Sequence, residues 1–289
     1  MRKAFILITL VAICGLAHGR QNVKRTTMSQ QGVVSISLGN ADGFGVSVIQ
    51  PVVAEESAPV VDVGTPVAWW KMTATGTNAT QILDFANSYN ASNMPSVASG
   101  AVLNTDGTNY YYTFNSLNYF NASPTNAFDI FTNQTFSASA WFDKNEASPD
   151  NPSVLLAKNS VASPFEGWII DSSSDEKLSF LILGTGGGVN FNEIETVATF
   201  SGWHHVVAVY KGGLSPSNME IWVDGTIQAV TTNSSTLTAS ANNGIPLQIG
   251  SRGGGADVSA WTGDIDDVRI FTNDLSETQI DNLFTEGRK

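Results

Sequence analysis

From Val67 onward the chain is a succession of short stretches in which apolar and polar positions alternate, separated by Gly, Asn, Asp, Ser and Pro. Such a period of two marks strands with one buried face. The pattern predicts strands at 67–72, 110–114, 135–142, 154–157, 167–171, 178–183, 196–200, 203–210, 219–223, 226–230, 247–250 and 264–271. Asp106-Gly107 and Asp224-Gly225 are hairpin dipeptides, because tight two-residue turns need left-handed backbone. The period changes once, near the end. Ser276 can cap a helix with Gln279 as its capping-box partner; Ile280, Leu283 and Phe284 form an apolar stripe, and Gly287 stops it. Strands this short and numerous predict an all-β fold, an antiparallel sandwich of two sheets with one short C-terminal helix.

The N-terminal part reads differently. Arg2 and Lys3 precede an apolar run from Ala4 to Ala17, followed by His18 and Gly19, so residues 1–19 are expected to be a signal peptide and the protein to be secreted, extracellular or on the cell surface. Cys14 raises a lipoprotein signal, but Ile13 stands where a small residue is needed. Removing this segment removes the one cysteine, and with it any disulfide or thiol chemistry. No later run approaches the roughly 20 apolar residues of a transmembrane segment. Residues 20–65 form an arm: a candidate hairpin at 33–49, then a Pro-containing linker. Residues 66–289 are one domain.

Charge narrows the partners. Between Pro66 and Gly287 stand 7 basic and 22 acidic residues, and the whole chain has a formal net charge of −12. Phosphate backbones are repelled by such a surface, which excludes nucleic acid. Five Asn-X-Ser/Thr triplets occur, beginning at Asn78, Asn90, Asn121, Asn133 and Asn233, no more than an Asn- and Ser/Thr-rich chain produces by chance.

Six segments in order carry a resemblance. They are Leu103 to Tyr110 around Asp106-Gly107, Phe136 to Trp141, Trp203 to Val207, Ile221 to Gly225, Gly263 to Phe271, and the helix opening at Leu275-Ser276. Together they resemble laminin-G-like domains of the concanavalin A-like lectin/glucanase jelly rolls, over about three-quarters of the chain. The resemblance implies a jelly-roll sandwich. It also implies that Asp266, in the closing strand, helps hold a structural Ca²⁺, with Asp106 or backbone carbonyls supplying further oxygens. The residues alone leave open the alternative that backbone amides satisfy Asp266 and that Asp106 only shapes its turn. Strict alternation puts Asp266 on a face with Val268 and Ile270, opposite Asp267, Arg269 and Phe271.

Other candidates come from chemistry. Arg252, Asp257 and Trp261 lie in or beside a Gly-rich loop and form a candidate ligand-contact set, against the alternative that Trp261 anchors the loop. His204 and His205 are adjacent in a strand, point to opposite faces and cannot chelate one ion. Glu193 and Glu195 are the nearest approach to a glucanase acid pair, without a third acid, and read as surface strand residues. The expectation is a non-catalytic, exported domain that binds a polysaccharide or a surface glycoprotein. A structural or adhesive component docking a protein partner through residues 33–49 is the alternative, and a polysaccharide-acting enzyme the third.

Overall fold

A computed structural model describes residues 61–288 except 73–76, 79–80, 87–89, 96–100, 116–117, 123–127, 130–132, 145–152, 161–164, 187–188, 242 and 254–258. The expected signal peptide, the candidate hairpin at 33–49, and Asp257 lie outside the described residues.

In chain order the strands are β1 (Ala68–Trp70), β2 (Thr77–Asn78), β3 (Gln81–Ile82), β4 (Ala91–Pro95), β5 (Val102–Thr105), β6 (Tyr110–Asn115), β7 (Asn118–Ala122), β8 (Phe136–Lys144), β9 (Ser153–Asn159), β10 (Gly167–Ser172), β11 (Leu178–Leu183), β12 (Phe191–Thr196), β13 (Trp203–Tyr210), β14 (Met219–Val223), β15 (Thr226–Ile227), β16 (Val230–Ser235), β17 (Gln248–Ile249) and β18 (Thr262–Phe271). Helix α1 (Glu277–Glu286) follows. One sheet runs β15-β14-β13-β8-β18-β6-β5, with β1 on the second half of β18; the other runs β16-β12-β11-β10-β9-β17-β7-β4-β3-β2. Every pairing within these sheets is antiparallel.

Between the sheets lies one core of alternate residues. Phe142, Val206, Ala208, Ile265, Val268 and Ile270 contribute from the first sheet, and Trp168, Ile170, Phe180, Ile182, Ile194 and Ile249 from the second. A smaller core lies outside the first sheet. There Ile280 and Leu283 of α1, with Leu275 and Val63, pack on Val207, Val209, Trp222 and Phe271. Both capping-box bonds of Ser276 and Gln279 form. Asn282 donates to the Asp62 carbonyl at 2.7 Å, so the compact unit opens at Val61, a few residues before Pro66.

Two departures from the pattern matter. A strand forms at Phe191–Thr196, not at 196–200, because its inward residues are Asn192, Ile194 and Thr196. Their polar groups are satisfied internally: Asn192 donates to the Leu214 carbonyl at 2.9 Å, and Thr196 accepts from the Leu178 amide at 3.0 Å. The second departure is a bulge in β18. Asp266 pairs with Trp141 and Arg269 with Ser139, so Asp267 and Val268 together face Ala140. Asp267 adopts φ 47°, and its carboxylate is gripped by Arg269 at 3.0 and 2.7 Å, which offsets the cost of left-handed backbone at a non-glycine.

Candidate functional site

The outer face of the second sheet collects hydrogen-bonding side chains. Strands β10, β11, β12 and β16 bring Asp171, Ser179, Glu195 and Thr231 into one cross-strand row, and Ile169, Leu181, Glu193 and Ser234 into the next. Neighbouring strands lie about 4.8 Å apart, so the rows place three carboxylates, Asp171 on β10 and Glu193 and Glu195 on β12, within a span of three strands. Toward β9 this face is closed: Val154, Ala157 and Ile169 are fully buried. Toward β12 it opens, leaving Leu181, Leu183, Glu193 and Glu195 half-buried and Thr231 and Asn233 exposed. Asn233 donates to Glu193 at 3.2 Å, and Lys177 pairs with Glu195 at 3.7 Å.

Asp171 sits where the cover ends. Burial raises its carboxyl to about 7, the Glu193 charge adds to that, and Arg252 acts against it. The structure thus brings Arg252, from the Gly-rich loop, into the electrostatic field of a group that sequence reading missed. Knowing the pairing register of β10, β11 and β12 reveals Asp171; nothing in the linear spacing does, because the three acids belong to two strands separated by a third.

Trp261 is corrected. It is fully buried in the central core, edge-on to Phe142 with ring centroids 5.8 Å apart, so it anchors the loop and offers no surface to a ligand. Trp70 and Trp168 are likewise fully buried, while Trp69 and Trp203 are half-buried.

The second region lies on the outer face of the first sheet, at the end of α1. The bulge corrects the face assignment of Asp266: it shares the helix-covered side with Asp267 and Arg269, whereas Val268 and Ile270 enter the core. Asp266, Trp141 and His205 form one cross-strand row, and Phe284 stacks on both rings, at 5.7 and 6.5 Å. Asp266 is fully buried, and neither carboxylate oxygen has a hydrogen-bond partner of normal geometry among the described residues; nor do Trp141 Nε1 and His205 Nδ1. Burial, with the neighbouring Asp267 charge, raises Asp266 to about 9 even though the Asp267 amide lies close enough to favour ionisation. Burial also depresses His205 to about 3, which keeps it neutral.

Asp106 behaves differently. Its carboxylate accepts from the Thr108 and Asn109 amides at 2.9 and 2.8 Å and from Arg288, and these donors, Asn109 foremost, hold it down to about 2. The Arg288 guanidinium lies 4.0 Å from the Trp203 ring centroid, a cation–π contact over the same surface. As calcium ligands the two differ: Asp266 has two unclaimed oxygens, while Asp106 is committed to its turn and to Arg288. Among the described residues no group of three or more His, Cys, Asp or Glu converges on one point. A hard cation here would draw its remaining oxygens from backbone.

The histidines are structural. His204 spans Asp224 Oδ2 at 2.7 Å and the Ser201 carbonyl at 3.1 Å, while Asp224 Oδ1 accepts from the His205 amide at 2.9 Å. These bonds secure the Asp224-Gly225 turn, whose φ angles of 51° and 75° are both left-handed as a tight hairpin requires.

This architecture is similar to several solved structures. Trypanosoma rangeli sialidase matches with a TM-score of 0.53 at 14% identity, over 76% of this chain and 32% of the sialidase. The binding domain of botulinum neurotoxin serotype G matches at 0.56 and 12%, over 76% of this chain and 51% of that one. The binding domain of botulinum neurotoxin DC, in complex with rat synaptotagmin II, matches at 0.52 and 16%, over 78% and 52%. At these identities the likeness is one of fold, and the chain spans between a third and about half of the structures it matches. No curated protein sequence matches significantly. No described helix is long and apolar enough to cross a membrane. A laminin-G-type sequence model of the concanavalin A-like lectin/glucanases superfamily matches residues 106–281, more than half of the chain, and the protein belongs to that family.

Proposed function

We propose that this is an exported, non-catalytic binding domain that holds a glycan, free or on a surface glycoprotein, on the open part of the second sheet's outer face. The observation that carries the reading is the open part of the two cross-strand rows, Glu195-Thr231 and Glu193-Ser234, bordered by half-buried Leu181 and Leu183, with buried Asp171 and Ser179 behind them. Carboxylates accept two hydrogen bonds side by side, which suits the adjacent hydroxyls of a sugar ring, and an apolar strip beside them suits its C–H face. Among the structural neighbours, botulinum neurotoxin type C interacts with two ganglioside molecules, and the DC binding domain is seen with synaptotagmin II. Those partners support a binding role for the fold. The acidic rows and the net charge of −12 favour a neutral glycan over a sialylated one.

Hydrolysis fits these groups poorly. A glycosidase needs an acid and a second carboxylate, both reaching the scissile bond. Asp171, whose carboxyl titrates near neutrality, is 5% exposed. Calcium enters this reading as a structural ion at Asp266, remote from the ligand.

The second reading, a structural or adhesive component, draws on one observation. Among the described residues strand β16 ends one side of its sheet and its residues are largely exposed, which leaves a backbone edge able to pair with a partner strand.

The test is glycan-array binding of residues 20–289, with calcium and with chelator, beside Glu193→Gln and Glu195→Gln. Selective binding to neutral glycans that both variants weaken supports the proposal. Binding unchanged in both removes this face as the site, and no binding under either condition leaves the β16-edge reading in front.

A further inference from the structure

Lys158 points from β9 into the protein and is 1% exposed. Its cross-strand partner Trp168 is a core residue, its ring tilted against Phe136 with centroids 4.8 Å apart, and its indole donates to the Phe128 carbonyl at 2.8 Å. In this apolar setting Lys158 Nζ meets three acceptors: the Asp129 carboxylate, the Asn243 carbonyl at 2.6 Å and the Asn243 side-chain Oδ1 at 3.1 Å. Asp129 is as secluded, with a side chain 4% exposed.

The Asn243 amide is held in one orientation. Oδ1 also accepts from the Ile245 amide at 2.9 Å, and Nδ2 donates to the Glu166 carbonyl at 2.6 Å and the Lys158 carbonyl at 3.3 Å. Asp129 accepts in turn from the Asn243 amide at 3.3 Å. A buried ion pair needs a lysine and a carboxylate; it does not need a carboxamide fixed beside the amine with a backbone donor on its oxygen. These are the parts of an acyl transfer: a nucleophile, a proton acceptor, an electrophilic carbonyl and a donor for the charge that develops on it.

We propose that Lys158 and Asn243 join in an intramolecular isopeptide bond, with Asp129 as the proton carrier. Asp129 takes a proton from Nζ, and the neutral amine attacks Asn243 Cγ. Charge gathers on Oδ1, where the Ile245 amide receives it. A bond forms between Nζ and Cγ as the bond from Cγ to Nδ2 breaks. Of the two protons Nζ gives up, one converts the departing amide nitrogen to ammonia and the other stays on Asp129 until solvent removes it. One amide replaces another, nothing is oxidised or reduced, and no further reactant enters. Burial assists, since desolvation lowers the lysine's affinity for its proton while Asp129 opposes this. The product ties β9 to the segment leading into β17, 85 residues away, in a protein whose mature chain is expected to carry no cysteine.

Mass spectrometry of the full chain decides it. The wild type is expected to weigh less than its sequence by one ammonia, to resist trypsin after Lys158, and to yield a branched peptide joining residues 145–177 to 212–252. Asp129→Asn and Asn243→Ala are expected to have the full mass and linear peptides. The branched peptide separates this bond from ammonia loss elsewhere, such as cyclisation of an N-terminal glutamine. A wild-type digest with linear, unmodified Lys158 and Asn243 peptides overturns the proposal, whatever the intact mass. Should Asp129→Asn fail to fold, the wild-type digest still decides; should it cross-link fully, Asp129 is not the proton carrier.

Discussion

Replacing Asp266 with Asn keeps the shape of the side chain and removes its ability to ionise. In the folded protein the Asp266 carboxyl is raised from 3.8 to about 9, chiefly by burial and then by the Asp267 charge. Between those values the folded state keeps the proton and the unfolded state loses it. The unfolded state therefore binds fewer protons, and stability falls as pH rises through that window. Each pH unit is worth about 1.4 kcal/mol, so the span from 3.8 to pH 7 sets a ceiling of about 4 kcal/mol. Water penetration and dipole relaxation return part of that, and about 2 kcal/mol is the expected gain for Asp266→Asn at pH 7. For a domain of this size it corresponds to a rise in Tm of about 4–8 °C. The assay is thermal unfolding of both proteins from pH 4 to pH 8 in chelator, repeated with calcium. The gain is expected to vanish near pH 4 and grow toward pH 8. A variant that melts below the wild type at pH 8 in chelator, or a difference that does not change with pH, refutes the reasoning. Calcium that raises the wild-type Tm but not that of Asp266→Asn places the ion at this carboxylate.

Other outcomes follow from the same geometry. Trp261→Ala is expected to lose about 3–5 kcal/mol in denaturant unfolding, as a fully buried indole leaves a cavity, with any glycan binding preserved in the folded fraction. Ser276→Ala is expected to cost about 1 kcal/mol by the same measurement, through the lost helix cap. His205 is held neutral with its pKa depressed from 6.5 to about 3, so its contribution to stability is complete above 6.5 and is lost as pH falls toward 3; His205→Gln is expected to flatten that acid limb in a Tm-against-pH profile.

Much of the fold was legible in the sequence because it rests on local rules. Period-two alternation marked β8, β11, β13, β14 and β18, Asp224-Gly225 marked its hairpin, and the Ser276–Gln279 box marked the one helix. Alternation failed where inward positions are polar. In β12, Asn192 is buried against a loop carbonyl and Thr196 against the first amide of β11, partners that no local window contains. It failed again at Asp267, where one extra residue in the strand transfers Asp266 from the core side to the helix side.

What the sequence by itself determined is the class of protein: its charge, its strand content, its helix and the ordered motifs of the family. Tertiary structure alone decided the chemistry of its sites. Asp171 meets Glu193 through strand pairing and the charge of Arg252 through the Gly-rich loop, Lys158 meets Asp129 and Asn243 across gaps of 29 and 85 residues, and Asp266 loses its solvent to a helix that follows it in the chain. The reason is physical. Strand and helix periods are set by neighbouring residues, whereas desolvation and the approach of charges depend on which distant segments the sheets bring together.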